Sequence, residues 1–72
     1  MPYMGSRIEG AAKVRREVEN SMGLKVPETA LEKAESAQWE HSSYDDPGSD
    51  WNKIHLFDAD GETCGVYKQE GY

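Results

Sequence analysis

The sequence predicts an α+β fold, in which an N-terminal helix and a short second helix pack on a three-stranded antiparallel β-sheet, a meander. Three observations carry this prediction. Apolar residues recur at helical spacing in the first half, at Ile8, Ala11, Val14 and Val18. From Ala37 onward the period changes to two, in "AQWEHSSY", "WNKIHLF" and "TCGVYK". The segments between these runs, "DDPGSD" and "DADGE", are turn-formers, and connections this short make consecutive strands antiparallel neighbours.

The first helix is expected from about Ser6 to Met22. Ser6 offers a cap and Glu9 stands three residues on, the spacing of a capping box. Glu9–Lys13, Lys13–Glu17 and Arg15–Glu19 place opposite charges one turn apart, each pair worth a few tenths of a kcal/mol. Gly23 before Leu24 matches a helix-ending glycine followed by its hydrophobic contact. Residues 1–5, "MPYMG", read as a flexible leader, with Met4 as an alternative start. A shorter helix begins at Pro27, which suits a first turn because its missing N–H is not needed there. Ala30, Leu31 and Ala34 give it a thin apolar face, and it fades near Ser36. The helical part thus spans residues 6–36 and the meander residues 37–70.

In the meander, Pro47-Gly48 suits the centre of a type II turn. The stretch "KIHLFDADGETCGVY" suits a hairpin built on a type I turn and a left-handed Gly61, with Asp58 bonding the backbone ahead of it. That turn pairs Asp58 with Glu62 and Phe57 with Thr63, then His55 with Gly65 and Lys53 with Tyr67. Leu56 meets Cys64 and Ile54 meets Val66, so those four share one face. Covered by the helices, this face also takes Trp39 and His41. The opposite face then carries Trp51, His55, Phe57 and Tyr67. Aromatic residues grouped on an open face are typical contact anchors.

At 72 residues the chain is one small domain, residues 1–72, and such a domain buries only ~60% of its unfolded surface. A single cysteine excludes an internal disulfide and a multi-cysteine zinc site, and fits a reducing compartment. No long apolar run and no signal-peptide pattern is present, so the expected location is cytoplasmic. The net charge of −6 is unevenly placed. Residues 1–36 carry six acids and six bases, whereas residues 37–72 carry eight acids against Lys53 and Lys68. Such a half repels a phosphate backbone and attracts basic surfaces, so direct nucleic-acid and membrane binding are not expected.

"FDADGET" resembles the first motif of the haloacid-dehalogenase phosphatases, an apolar strand ending in Asp-x-Asp-Gly-Thr. That resemblance would make Asp58 a nucleophile and Asp60 a general acid/base. Glu62 stands where the motif has Thr, and eleven residues follow Gly61 where the family needs a Ser/Thr, a Lys and an acidic metal pair on a large parallel sheet. A calcium loop starting at Asp58 would need Gly at Thr63 and Glu at Gln69. Neither chemistry is complete, so no catalytic residue, metal site or cofactor is expected. In the expected register His55 and Cys64 point to opposite faces and cannot share a metal, and His41 with Cys64 on one face would give two ligands, which do not make a zinc site.

The function expected is therefore non-catalytic: a small acidic protein that covers a basic or nucleic-acid-binding surface of a larger protein. Its expected contact residues are Trp51, His55, Phe57 and Tyr67, rimmed by Asp45, Asp46, Asp50, Asp58, Asp60 and Glu62. In size, acidity and helix-plus-hairpin layout the chain resembles the small phage-encoded inhibitors of bacterial defence, such as anti-CRISPR proteins. The resemblance implies action in a host-cell cytoplasm, by steric blocking or by mimicry of nucleic-acid charge. The alternative expectation is a structural homodimer pairing through the aromatic face.

Overall fold

The structure, a computed structural model, describes residues 3–41 and 52–69. Pro47-Gly48, Asp45, Asp46, Asp50 and Trp51 lie outside the described residues. The class is α+β as expected, but the described residues hold four strands rather than three. The order along the chain is β1 (Tyr3–Glu9), α1 (Ala11–Asn20), α2 (Glu28–Lys33), β2 (Ser36–His41), β3 (Asn52–Phe57) and β4 (Thr63–Gln69). The strands lie side by side in that same order, each antiparallel to the next.

The extra strand corrects the expectation for residues 3–9. Ser6 caps no helix, because α1 begins at Ala11 after Gly10 and has no side-chain cap. Gly10 sits at φ 106, a region open to glycine and costly for other residues, and there the chain turns from strand into helix. Its N–H donates to Glu35 O and its own carbonyl accepts from Val14 N–H, so one residue ties strand, helix and neighbouring strand together. Ile8 therefore belongs to β1 and pairs with Ala37. Glu9 cannot reach Lys13 across a helical turn; its carboxylate takes the Arg7 guanidinium instead, at 2.9 Å.

Val14 and Val18 form the buried stripe of α1, as their spacing predicts. The helix ends at Asn20, and Gly23 follows at φ 79 with Leu24 buried behind it. Arg15 does not pair with Glu19 as its partner of choice. It donates to both carboxylate oxygens of Glu28, at 3.0 and 2.6 Å, and so links α1 to α2. Pro27 precedes α2 as its cap, and its carbonyl accepts from Ala30 and Leu31 N–H. Ala30 and Ala34 face inward.

Both helices lie on one side of the sheet, α1 over β1 and β2 and α2 over β4. The core between the layers is Val14, Val18, Leu24, Ala30, Ala34, Ala37, Ile54 and Leu56, with Ile8, Val26, Leu31, Trp39, Cys64 and Tyr67 packed around it. Three alanines in eight core positions let the helices approach the sheet closely. Ile54 and Leu56 are fully buried, as the alternation in β3 predicts. No described helix is long and apolar enough to cross a membrane.

Candidate interaction surface

The β3–β4 turn forms as its residues dictate. Gly61 N–H donates to Asp58 O at 3.0 Å, closing the tight turn, and Asp58 N–H donates to Glu62 O at 2.9 Å. Gly61 has φ 83, the left-handed conformation that makes this a glycine-bulged hairpin. The Asp58 carboxylate folds back on the turn: its Oδ1 accepts from Asp60 N–H at 2.9 Å and from Glu62 N–H at 3.0 Å. Asp58 is thus a structural residue of the turn, while Asp60 and Glu62 stand exposed.

Beyond the turn, the register departs from expectation. Phe57 pairs with Thr63 as predicted, but an irregularity follows, and Leu56 then pairs with Gly65 rather than Cys64. Cys64 is the additional residue. Every later partner moves by one: His55 meets Val66, Ile54 meets Tyr67 and Lys53 meets Lys68. The consequence is an exchange of faces. Tyr67 turns onto the helix-covered side, and Val66 turns out, 45% exposed. The physical reason is that a tyrosine ring buries far more apolar area than a valine. Gly65 beside it leaves room for that ring.

The predicted aromatic face is therefore divided. His55 and Phe57 share the outer side of the sheet, Tyr67 does not, and Trp51 lies outside the described residues. Three rows cross the outer side: Met4–Glu40–Lys53–Lys68, Arg7–Gln38–His55–Val66 and Glu9–Ser36–Phe57–Thr63. Polar partners occupy most of it. The Arg7 guanidinium lies 4.9 Å from the Phe57 ring centroid and donates to Ser36 Oγ at 3.0 Å. His55 Nε2–H donates to Glu40 Oε1 at 2.9 Å. Rather than an apolar patch, this is a mixed-charge face whose aromatic ring is already stacked under a cation.

The acidic residues are better placed than the aromatic ones. Extending the register past the strand ends sets Glu35 beside Asp58, since Glu35 N–H donates to Phe57 O at 2.7 Å, and Asp58 beside Glu62. Glu9 ends β1 on the same edge of the molecule. One end of the sheet so gathers Glu9, Glu35, Asp58, Asp60 and Glu62. Among the described residues, no ion pair engages Glu35, Asp60 or Glu62.

At the opposite end, a polar row on the helix side escaped sequence reasoning. Gln69 Nε2 donates to Met22 O at 2.7 Å, and Asn52 Nδ2 donates to Gln69 Oε1 at 3.1 Å. The Asn52 amide is so oriented that its Oδ1 accepts from His41 Nδ1, at 2.6 Å. His41 in turn stacks on Trp39, whose indole N–H donates to Glu17 Oε2 at 3.0 Å. His41, Asn52 and Gln69 alternate onto the same side as Trp39, Ile54 and Tyr67, and a contact to the helix connection has no sequence signal. Among the described residues, no group of three or more His, Cys, Asp or Glu side chains is arranged to hold a metal ion.

Comparison with protein-family models, with curated proteins and with solved structures finds no match.

Proposed function

We propose that the protein is a non-catalytic binding module that sets the acidic end of its sheet against a basic surface of a larger protein, displacing nucleic acid from it. The observation that carries this reading is the braced turn. Asp58 spends its carboxylate on the Asp60 and Glu62 amides, so the two neighbouring carboxylates are held on a stiff support. Groups fixed before binding lose less conformational entropy on docking. Glu35, just before β2, widens the negative field, and such fields speed and orient encounter with basic partners. Phe57, under the Arg7 guanidinium, borders this end on the outer side. The resemblance in size, acidity and layout to small phage-encoded inhibitors of bacterial defence implies this manner of action, by steric blocking or charge mimicry.

The test is competitive capture. The immobilised chain should retain a basic, nucleic-acid-handling protein from lysate, and added duplex DNA or raised salt should release it. The Asp60→Lys/Glu62→Lys variant should fail to retain that same protein while keeping its circular dichroism spectrum. Equal retention by the variant would remove the acidic end from the function.

A further inference from the structure

Asp60-Gly61 is the single Asp-Gly step of the sequence, and no Asn-Gly step occurs in it. Such a step is open to isomerisation, because glycine has no side chain to obstruct attack by its backbone nitrogen on the preceding carboxyl carbon. Both residues stand exposed at the tip of the β3–β4 turn, and a Cβ added to Gly61 would meet nothing within 4 Å. Bulk does not protect this bond; hydrogen bonds do. Gly61 N–H, whose proton must leave, donates to Asp58 O at 3.0 Å. On either side, the Asp60 and Glu62 N–H groups donate to Asp58 Oδ1, at 2.9 and 3.0 Å. The three amides around the reactive bond are thus all held by one residue. The carboxylates of Asp58 and Glu62 also disfavour a negative charge on the Gly61 nitrogen.

We propose that Asp60-Gly61 is a latent site of covalent modification, isoaspartate formation, which the Asp58 brace holds closed while the turn is folded. The reaction needs no reagent but water. Gly61 N loses its proton and bonds to Asp60 Cγ, and the carboxyl group sheds its hydroxyl as water, closing a five-membered succinimide. Water then opens the ring. Addition at Cγ breaks the new N–C bond and restores aspartate. Addition at the Asp60 main-chain carbonyl breaks the original peptide bond and leaves Gly61 linked through Cγ. Mass is unchanged, but the backbone gains one methylene at the tip of the turn. To close the ring, Gly61 N must leave Asp58 O and swing toward the Asp60 side chain, so its hydrogen bond breaks first. Opening therefore precedes reaction, and local opening carries a cost set by the bonds it breaks. The lengthened product no longer has the spacing that sets the Gly61 and Glu62 amides on Asp58 together, so brace and modification exclude each other. This chemistry belongs to the turn and does not depend on what the acidic end binds.

The whole chain is incubated at neutral pH and physiological temperature, once native and once in guanidinium chloride. Isoaspartate at position 60 is followed by peptide mapping with electron-transfer fragmentation, since mass alone does not change. Accumulation should be at least about tenfold slower in the native chain, the suppression that one charge-assisted hydrogen bond imposes on opening. Among folded chains, Asp58→Ala should raise the rate by a similar factor, and Asp58→Asn, which keeps an acceptor oxygen, by less. In denaturant these chains should react alike, while Gly61→Ala should react far more slowly and so fix the site. Equal rates in the native and denatured parent chain overturn the proposal, and that comparison needs no variant to fold. Absence of isoaspartate in denaturant also overturns it. So does an Asp58→Ala chain that keeps its circular dichroism spectrum and reacts as slowly as the parent.

Discussion

A Cβ added to Gly65 would stand 2.5 Å from Tyr67 Cε2 and 2.7 Å from its hydroxyl oxygen, so the ring fills the volume any other residue at 65 would need. The shifted register of β4 and the inward turn of Tyr67 depend on this relationship. Gly65→Ala is accordingly expected to destabilise the fold by roughly 1–3 kcal/mol, the usual range for overpacking a filled site. Urea unfolding measures the loss. Combined with Tyr67→Ala, the two changes should be non-additive, because removing the ring removes the clash. Strict additivity would show that the ring lies elsewhere.

The bond from Trp39 to Glu17 fastens the sheet to α1 at 3.0 Å. Trp39→Phe keeps an aromatic ring and loses the donor, leaving a half-buried carboxylate unmatched. A cost of about 1–3 kcal/mol is expected. Glu17→Ala should cost less after Trp39→Phe than before it. Chemical denaturation of the four species checks this.

The β3–β4 turn offers a paired comparison. Asp58→Ala removes the acceptor of two backbone amides and should cost about 1–2 kcal/mol, while Asp58→Asn, which keeps an oxygen there, should cost less. Gly61→Ala meets no atom within 4 Å, so its cost is purely conformational. For one residue held in the left-handed region that cost is about 1–2 kcal/mol. The amide resonances of Asp60 and Glu62 should move in Asp58→Ala and stay in place in Asp58→Asn.

Arg15 and Glu28 predict a pH response. The hydrogen bond from Arg15 holds the Glu28 carboxyl below its ordinary range, and the same bond raises Arg15. A carboxylate depressed in the folded state binds protons more weakly than in the unfolded chain. Its stabilising effect is therefore present above the ordinary glutamate range and fades as pH falls through the folded value. Both groups are solvent-exposed, so the effect is small and weakens with salt. Melting temperature against pH should fall less steeply below the glutamate range in Glu28→Gln than in the parent chain.

Much of this architecture was legible from local signals. The stripe of Val14 and Val18, the buried pair Ile54 and Leu56, and the hairpin around Asp58 and Gly61 each follow from spacing within one element. The failures lie where a distant contact decides. Ile8 sits at a helical interval from Ala11 and Val14, yet its place is opposite Ala37, and only the tertiary pairing selects strand over helix there. Pairing beyond Thr63 turned on Cys64 being skipped, an outcome set by the rival burial of Tyr67 and Val66. One skipped residue divided the aromatic face on which the first reading of function relied. That Asp58, Asp60 and Glu62 share one turn was legible because it depends on the turn and not on which way a side chain alternates, while Asp45, Asp46 and Asp50 lie outside the described residues.

The placement of β1 bears on how the molecule assembles. Glu9 meets Ser36 only after both helices have been traversed, whereas β3 and β4 meet across a five-residue connection from Asp58 to Glu62. The longer closure surrenders more chain entropy before any contact rewards it. β1 is thus expected to be the last strand to zip onto the sheet and the first to peel away. Hydrogen exchange should find its amides the fastest of the four strands, with β3, flanked on both sides, the slowest.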